Sequence, residues 1–79
     1  MSLFSVIRLM VQRGELQTVK TRDPQMGEGE RFVMDGRPVQ ILFGVRNAGG
    51  QNFSDPTDVL LSPDGKVVTF VKSELPPRY

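Results

Sequence analysis

Residues 31–46, RFVMDGRPVQILFGVR, hold the pattern that decides the fold of this chain. From Val39 to Val45 every second residue is apolar, which is the period of a half-buried β-strand. The pair Asp35 and Gly36 separates this run from the apolar residues before it, and such a pair supplies the two positive-φ positions of a tight hairpin turn. Pro38 lacks a backbone N–H, so we expect it at a sheet edge or at the start of its strand. The stretch predicts an antiparallel hairpin.

A second hairpin is predicted over residues 59–72. Its turn is SPDG at positions 62–65, where Pro63 sets φ at the second turn position and Gly65 takes the left-handed position. The returning run, residues 66–72, is β-branched or aromatic almost throughout, as strands commonly are. Together the two hairpins indicate a chain built mainly from antiparallel β-structure.

The N-terminal segment fits two structures. As a strand over residues 3–12 it pairs with residues 16–21 across a turn at Gly14, and its β-branched residues favour this interpretation. As a helix over residues 3–13 it has Ser2 as N-cap and Gly14 just beyond its C-terminus. We favour the strand, which makes three successive hairpins, and keep the helix as the alternative.

The resulting fold prediction is all-β: a small antiparallel barrel or two-layer sandwich of about six strands, built from three hairpins. The alternative is an α+β fold with the N-terminal helix. Residues 1–73 form the single domain, and residues 74–79 form an extended tail because its two consecutive prolines cannot continue a ladder. Residues 23–30 and 47–57 have little to bury, so we expect loops that are mobile or held by a partner.

The core of this domain is small. The chain has 79 residues and a mass of 8.8 kDa, and area scaling indicates that folding hides about 63% of the surface of the unfolded chain. The margin of stability is therefore thin. The predicted core consists of the apolar residues on the inward faces of the strands, namely Ile7, Leu9, Val11, Leu16, Phe32, Val39, Ile41, Phe43, Val59, Leu61, Val68 and Phe70.

The composition excludes most of the chemistry found in small domains. The chain contains no Cys, His or Trp, which rules out disulfide scaffolds, zinc sites, haem ligation and catalysis by a thiolate or an imidazole. Asp35 and Asp64 occupy turn positions that local hydrogen bonds explain. Asp55 and Asp58 are too few to indicate a cation site. We predict that the protein is not an enzyme and uses no cofactor or metal.

Assembly is the function that remains. A six-stranded meander of this size closes into a barrel with difficulty, so its edges present backbone groups that another subunit can satisfy. Oligomerisation also stabilises small cores that lack disulfides and metals. We expect a non-catalytic interaction module that self-associates through its sheet edges, of the kind found as small subunits in viral or other multi-chain particles. The tail would contact the partner through Leu75, Pro76, Pro77, Arg78 and Tyr79.

A nucleic-acid-binding small β-barrel, SH3-like or OB-like, is the alternative function. Such barrels combine a basic groove with exposed aromatic platforms. The candidate contacts are Arg8, Arg13, Lys20, Arg22, Lys66 and Lys72. We rank this function second because a net charge of +1 gives little electrostatic steering. We see neither a signal peptide nor a run of about 18 apolar residues, so we expect a cytoplasmic protein without membrane contact.

Overall fold

The computed structural model describes residues 1–75. Its elements are α1 (Leu3–Gln12), β1 (Gln17–Asp23), β2 (Gly27–Met34), β3 (Arg37–Pro38), β4 (Gln40–Ala48), β5 (Gln51–Leu61) and β6 (Val67–Lys72). The strands pair antiparallel in two three-stranded sheets, ordered β1-β2-β3 and β4-β5-β6. The prediction of about six antiparallel strands is confirmed. The sheets do not close into a barrel, and the helix of the alternative prediction is present.

The N-terminal segment is a helix with a defined cap at each end, so the preferred strand was wrong. The hydroxyl oxygen of Ser2 accepts a hydrogen bond from the amide of Ser5 at 3.2 Å, as an N-cap does. At the other end Gly14 adopts a φ of 79°, and the amide of the residue after it donates to the carbonyl of Met10 at 2.9 Å. This is the Schellman arrangement, in which a left-handed glycine stops the helix.

The apolar stripe of α1 explains why the helix prevails over the strand. Leu3, Ile7 and Met10 recur at helical spacing and are all buried. They pack against Leu60 of β5. In a strand Ile7 and Leu9 would share one face, whereas Leu9 is 42% exposed. Burial of this stripe against β5 outweighs the β-propensity of the β-branched residues.

Residues 23–30, predicted as a loop, belong to the hairpin of β1 and β2. The Asp23 carboxylate accepts hydrogen bonds from the amides of Gln25 at 2.7 Å and Met26 at 3.2 Å, which closes the turn. β1 therefore pairs with β2 and not with the N-terminal segment. Every one of these eight residues is exposed, so no alternation of apolar residues marked the strands in the sequence.

Residues 47–57, also predicted as a loop, form the turn and outer half of the β4–β5 hairpin. Gly49 and Gly50 have φ values of 56° and 80°, which gives the two-residue turn of a tight hairpin. The hairpin curls back over its own sheet. A Cβ atom at Gly49 would lie 2.8 Å from the carbonyl oxygen of Gly65 in the turn before β6.

The predicted hairpin around Asp35 and Gly36 is confirmed but short. Both residues have positive φ, 52° and 77°, and Arg37–Pro38 pairs with the end of β2. The proline lies in an edge strand, as predicted. The amide of Val39 still donates to the carbonyl of Phe32 at 3.2 Å. The chain then crosses to the second sheet, where β4 pairs with β5.

The core has two parts on opposite faces of β5, because successive side chains of a strand alternate. The first contains Leu3, Ile7, Met10, Leu16 and Leu60, and the second contains Ala48, Val59 and Leu61. Of the predicted core, Ile7, Leu16, Val59 and Leu61 are buried. Half-buried positions are Val11, Phe32, Val39, Ile41, Phe43 and Val68. The prediction was wrong for Leu9 and Phe70, which are exposed.

Among residues 1–75, α1 is the one helix, and it is too short to cross a membrane.

Candidate assembly interface

The candidate interface is the outer edge of β6. The SPDG turn leads into this strand as predicted: the Gly65 amide donates to the Ser62 carbonyl at 2.8 Å, and the Ser62 amide donates to the Lys66 carbonyl at 2.7 Å. β6 pairs with β5 on one side. On its other side it pairs with no strand of residues 1–75. The hairpin is confirmed, and its last strand leaves a row of backbone groups open.

A bulge interrupts β6: Leu60 lies opposite Thr69 and Leu61 lies opposite Val67, so Val68 is an extra residue and the side chains alternate regularly only from Thr69 onward. Val71 packs against the helix side of the core and Val67 against the opposite side. Phe70 lies on the same face as Val59, its partner in β5, and is 53% exposed. The strand carries no charge before Lys72. The open edge is therefore flanked by apolar side chains along nearly its whole length.

Phe53 extends the apolar surface beside Phe70. The two ring centroids lie 5.0 Å apart with an interplanar angle of 55°, a tilted geometry that aromatic pairs favour. The curled end of the β4–β5 hairpin brings Phe53 to this position. Sequence reasoning assigned Phe53 to a loop and missed the contact. The available signal was a lone aromatic residue inside a stretch otherwise poor in apolar residues.

The charged groups beside this surface already have partners within the chain. The Lys72 ammonium lies 3.9 Å from the Asp55 carboxylate, an exposed ion pair of the kind that contributes about 0–1 kcal/mol. Asp58 accepts a hydrogen bond from the Gly44 amide at 2.9 Å. Within residues 1–75 no group of three or more carboxylates is placed to hold a metal ion. Asp55 and Asp58 thus have structural partners.

Asp64, in the turn before β6, is also explained by local structure. The Ser62 hydroxyl donates to its carboxylate, and this hydrogen bond, with the nearby backbone amide and the charges of Lys66 and Arg37, lowers the pKa of Asp64. The carboxylate is therefore ionised at neutral pH and stabilises the turn. Asp35 occupies the corresponding turn between β2 and β3.

β1 is an open edge of the other sheet, β1-β2-β3. In the register of β1 and β2, Lys20 lies opposite Glu30 and Arg22 lies opposite Glu28. All four side chains are exposed. Opposite charges across two strands stabilise a hairpin, and charged side chains on an edge strand disfavour pairing with a further strand. The β1 edge is therefore less suited to strand pairing than the β6 edge.

The six cations considered for nucleic-acid binding are distributed over several elements. Lys20 and Arg22 share one face of β1. The others are Arg8 on α1, Arg13 at its C-cap, Lys66 in the turn before β6 and Lys72 at the end of β6. Lys20, Arg22 and Lys72 each lie opposite or beside a carboxylate, and Lys66 lies near Asp64. The carboxylates reduce the positive potential at four of the six candidate contacts.

The predicted partner-binding tail begins at Leu75, which is the last described residue and is 54% exposed. Its amide donates to the Ser73 hydroxyl at 3.0 Å. Leu75 lines a cavity of about 180 Å³ together with Met1, Phe4 and Phe43. The remaining tail residues, Pro76, Pro77, Arg78 and Tyr79, lie outside the described residues.

No protein-family model, curated protein or solved structure matches this chain.

Proposed function

We propose that this chain is a non-catalytic assembly module that associates with further copies of itself through open sheet edges, as a small structural subunit of a viral or other multi-chain particle. One observation carries the proposal: β6 is an edge strand with neither charge nor proline between Val67 and Val71. Soluble proteins usually protect such edges with charges, prolines or covering segments. An edge that has neither charge nor proline from Val67 to Val71 fits a strand that pairs with another subunit.

The other edge strands are protected, which singles out β6. β1 carries Lys20 and Arg22. β3 has two residues, of which one is Pro38. β4 carries Arg46, and its ladder with β5 has two register shifts against one in the β5–β6 ladder; bulges and charges both disfavour pairing with a further strand.

The exposed area of the chain supports association. The chain exposes 5807 Å², whereas scaling predicts about 4,800 Å² for a compact monomer of this mass. Part of the excess comes from the β1–β2 hairpin, whose residues 22–31 are all exposed.

The proposal includes a cytoplasmic location, which the absence of cysteine fits. Nucleic-acid binding is the competing function, and the same experiment tests it. A protein that neutralises phosphates binds more weakly as the salt concentration rises, whereas an apolar edge interface depends little on salt.

The experiment is light scattering coupled to size exclusion, at low and moderate salt, with and without short oligonucleotides. We expect a defined oligomer whose mass changes neither with the salt concentration nor on addition of oligonucleotides. Phe70→Lys places a charge at the exposed β6 edge and should produce a monomer. Val19→Lys is the matched control, because Val19 is 48% exposed on the already charged β1 edge.

A wild-type monomer at every concentration would contradict self-association. A mass increase that requires oligonucleotide and low salt would favour the nucleic-acid alternative. Phe70 suits this test better than Val71, because Val71 packs against the helix side of the core and a lysine there would also destabilise the fold.

A further inference from the structure

We infer that Asp35, which precedes Gly36 in the turn between β2 and β3, is a modification site at which aspartate converts spontaneously to isoaspartate through a cyclic imide. The sequence contains one other Asp-Gly pair, Asp64 and Gly65, and its turn protects it from the same reaction. This inference concerns the chemistry of a single chain and does not depend on the proposed self-association.

The reaction needs only the two residues and water. The backbone nitrogen of Gly36 attacks the side-chain carboxyl carbon of Asp35, and the amide proton leaves with the carboxyl hydroxyl as one water molecule. Glycine favours this step because no side chain obstructs the approach of its nitrogen. One water molecule then opens the imide. When it breaks the bond between the nitrogen and the former main-chain carbonyl carbon, the chain continues through the side chain as isoaspartate, with unchanged mass and oxidation state.

Hydrogen bonds distinguish the two pairs, since all four residues are exposed. In the turn before β6 the Gly65 amide donates to the Ser62 carbonyl at 2.8 Å, and the Ser62 hydroxyl donates to the Asp64 carboxylate. The same hydroxyl oxygen accepts a hydrogen bond from the Lys66 amide at 3.2 Å. The nitrogen that would attack and the carboxyl group that it would attack are therefore held by separate partners.

The turn at Asp35 lacks these restraints. Hydrogen bonds hold the carboxylates of Asp23, Asp58 and Asp64. Within residues 1–75, by contrast, no hydrogen bond holds the Asp35 carboxylate or the Gly36 amide. No contact of this kind has to break before the nitrogen approaches the carboxyl carbon.

The β2–β3 hairpin also opens more readily than the β5–β6 hairpin. β3 contains two residues, Arg37 and Pro38, and Pro38 has no backbone N–H to donate. β5 and β6 pair over five positions. Asp35 has a φ of 52°, the one positive value for a non-glycine residue in the described part of the chain, so opening its turn releases backbone strain. Local opening of this kind lets Asp35 rotate into the reactive geometry.

The charge of the carboxyl group protects Asp64 further. Water leaves from a protonated carboxyl group much more readily than from a carboxylate. The hydrogen bond from Ser62, with the nearby backbone amide and the charges of Lys66 and Arg37, lowers the pKa of Asp64. The reactive protonated form of Asp64 is therefore scarce at neutral pH.

Isoaspartate at position 35 changes the hairpin. It adds one methylene group to the main chain of a two-residue turn, and the register of a hairpin depends on the length of its turn. The pairing of Arg37 with Met34 and of Pro38 with Val33 is therefore lost.

The test follows both sites in one sample. The full chain is kept at neutral pH in heavy-oxygen water, so that each imide that hydrolyses leaves one heavy oxygen atom in the chain. Digestion with trypsin in ordinary water separates the sites into peptides 32–46 and 47–66, because trypsin does not cleave before Pro38. Mass spectrometry measures the label, and chromatography separates the isoaspartyl from the aspartyl peptides. We expect both signals to rise about tenfold faster in peptide 32–46, since one further hydrogen bond favours the closed turn by about this factor.

Two controls assign the difference to the structure. In guanidinium chloride the turns are absent, and the two sites should react at similar rates. Ser62→Ala removes the hydroxyl that holds Asp64 and should accelerate the reaction in peptide 47–66 about tenfold. Peptide 32–46 of the same variant should react as in the wild type, which distinguishes a local effect from unfolding.

Three results would overturn the inference. One is a rate in peptide 32–46 of the folded chain that is no higher than the rate in peptide 47–66, including no reaction in either. Another is a difference that persists undiminished in guanidinium chloride, which would assign it to the neighbouring residues and not to the turns. The third is an unchanged rate in peptide 47–66 of Ser62→Ala, which would show that the hydroxyl does not protect Asp64.

Discussion

Gly49 is the residue at which the β4–β5 hairpin contacts the turn before β6. A Cβ there would lie 2.8 Å from the Gly65 carbonyl oxygen and 3.0 Å from a methyl group of Val67. We expect Gly49→Ala to lower the free energy of unfolding by about 2–4 kcal/mol, from backbone strain and the close contact together. Gly50→Ala is the control: φ is also positive, but no atom lies within 4 Å. It should cost about 1–2 kcal/mol. If urea denaturation shows the same loss of unfolding free energy for Gly49→Ala and Gly50→Ala, the close contact at Gly49 does not contribute to stability.

Asp58 stabilises the irregular part of β4. The register with β5 shifts between Leu42 and Val45, and there Asp58 accepts the hydrogen bond from the buried amide of Gly44 at 2.9 Å. Asp58→Ala leaves this amide without a partner, which should cost about 1–3 kcal/mol in chemical denaturation. Asp58→Asn retains an oxygen acceptor and should cost less. If the two variants are equally unstable, the hydrogen bond is not the source of the effect.

At the scale of elements, α1 places two apolar residues, two positions apart, in opposite environments. Ile7 is buried against the core, and Leu9 is exposed at the surface of the helix. Ile7→Ala should therefore lower the free energy of unfolding by about 2–5 kcal/mol. Leu9→Ala should change it by less than about 0.5 kcal/mol. A strand would bury both side chains, so similar losses for the two variants in denaturant titrations would refute the helix.

The elements that sequence reasoning predicted correctly are those with distinctive turns. Asp35 and Gly36, and the SPDG turn, specify their hairpins through local backbone preferences. The β1–β2 hairpin was missed because its outer half is exposed on both faces and has no apolar period. The choice of helix for α1 depends on Leu60, which is distant in sequence. The candidate interface includes Phe70, whose exposure follows from the sheet order and not from its local pattern.

At the scale of the whole molecule, β5 contributes to both parts of the core. Leu60 contributes to the helix side of the core, and Val59 and Leu61 contribute to the other side. The radius of gyration is 13.0 Å, against about 11.6 Å for a compact chain of this length. A small core divided between two faces of one strand gains stability when a second subunit extends the same sheet, because β6 then ceases to be an edge.

Association through β6 should therefore appear as a dependence of stability on concentration. A dimer formed by the folded chain stabilises that state by mass action, so the Tm should rise with protein concentration. In hydrogen exchange, the amides of β6 should become slower to exchange as concentration rises, while those of β1 should not change. Phe70→Lys should abolish both effects and Val19→Lys should preserve them. Exchange in β6 that is independent of concentration, or equal slowing in β1 and β6, would show that the chain does not associate through this edge.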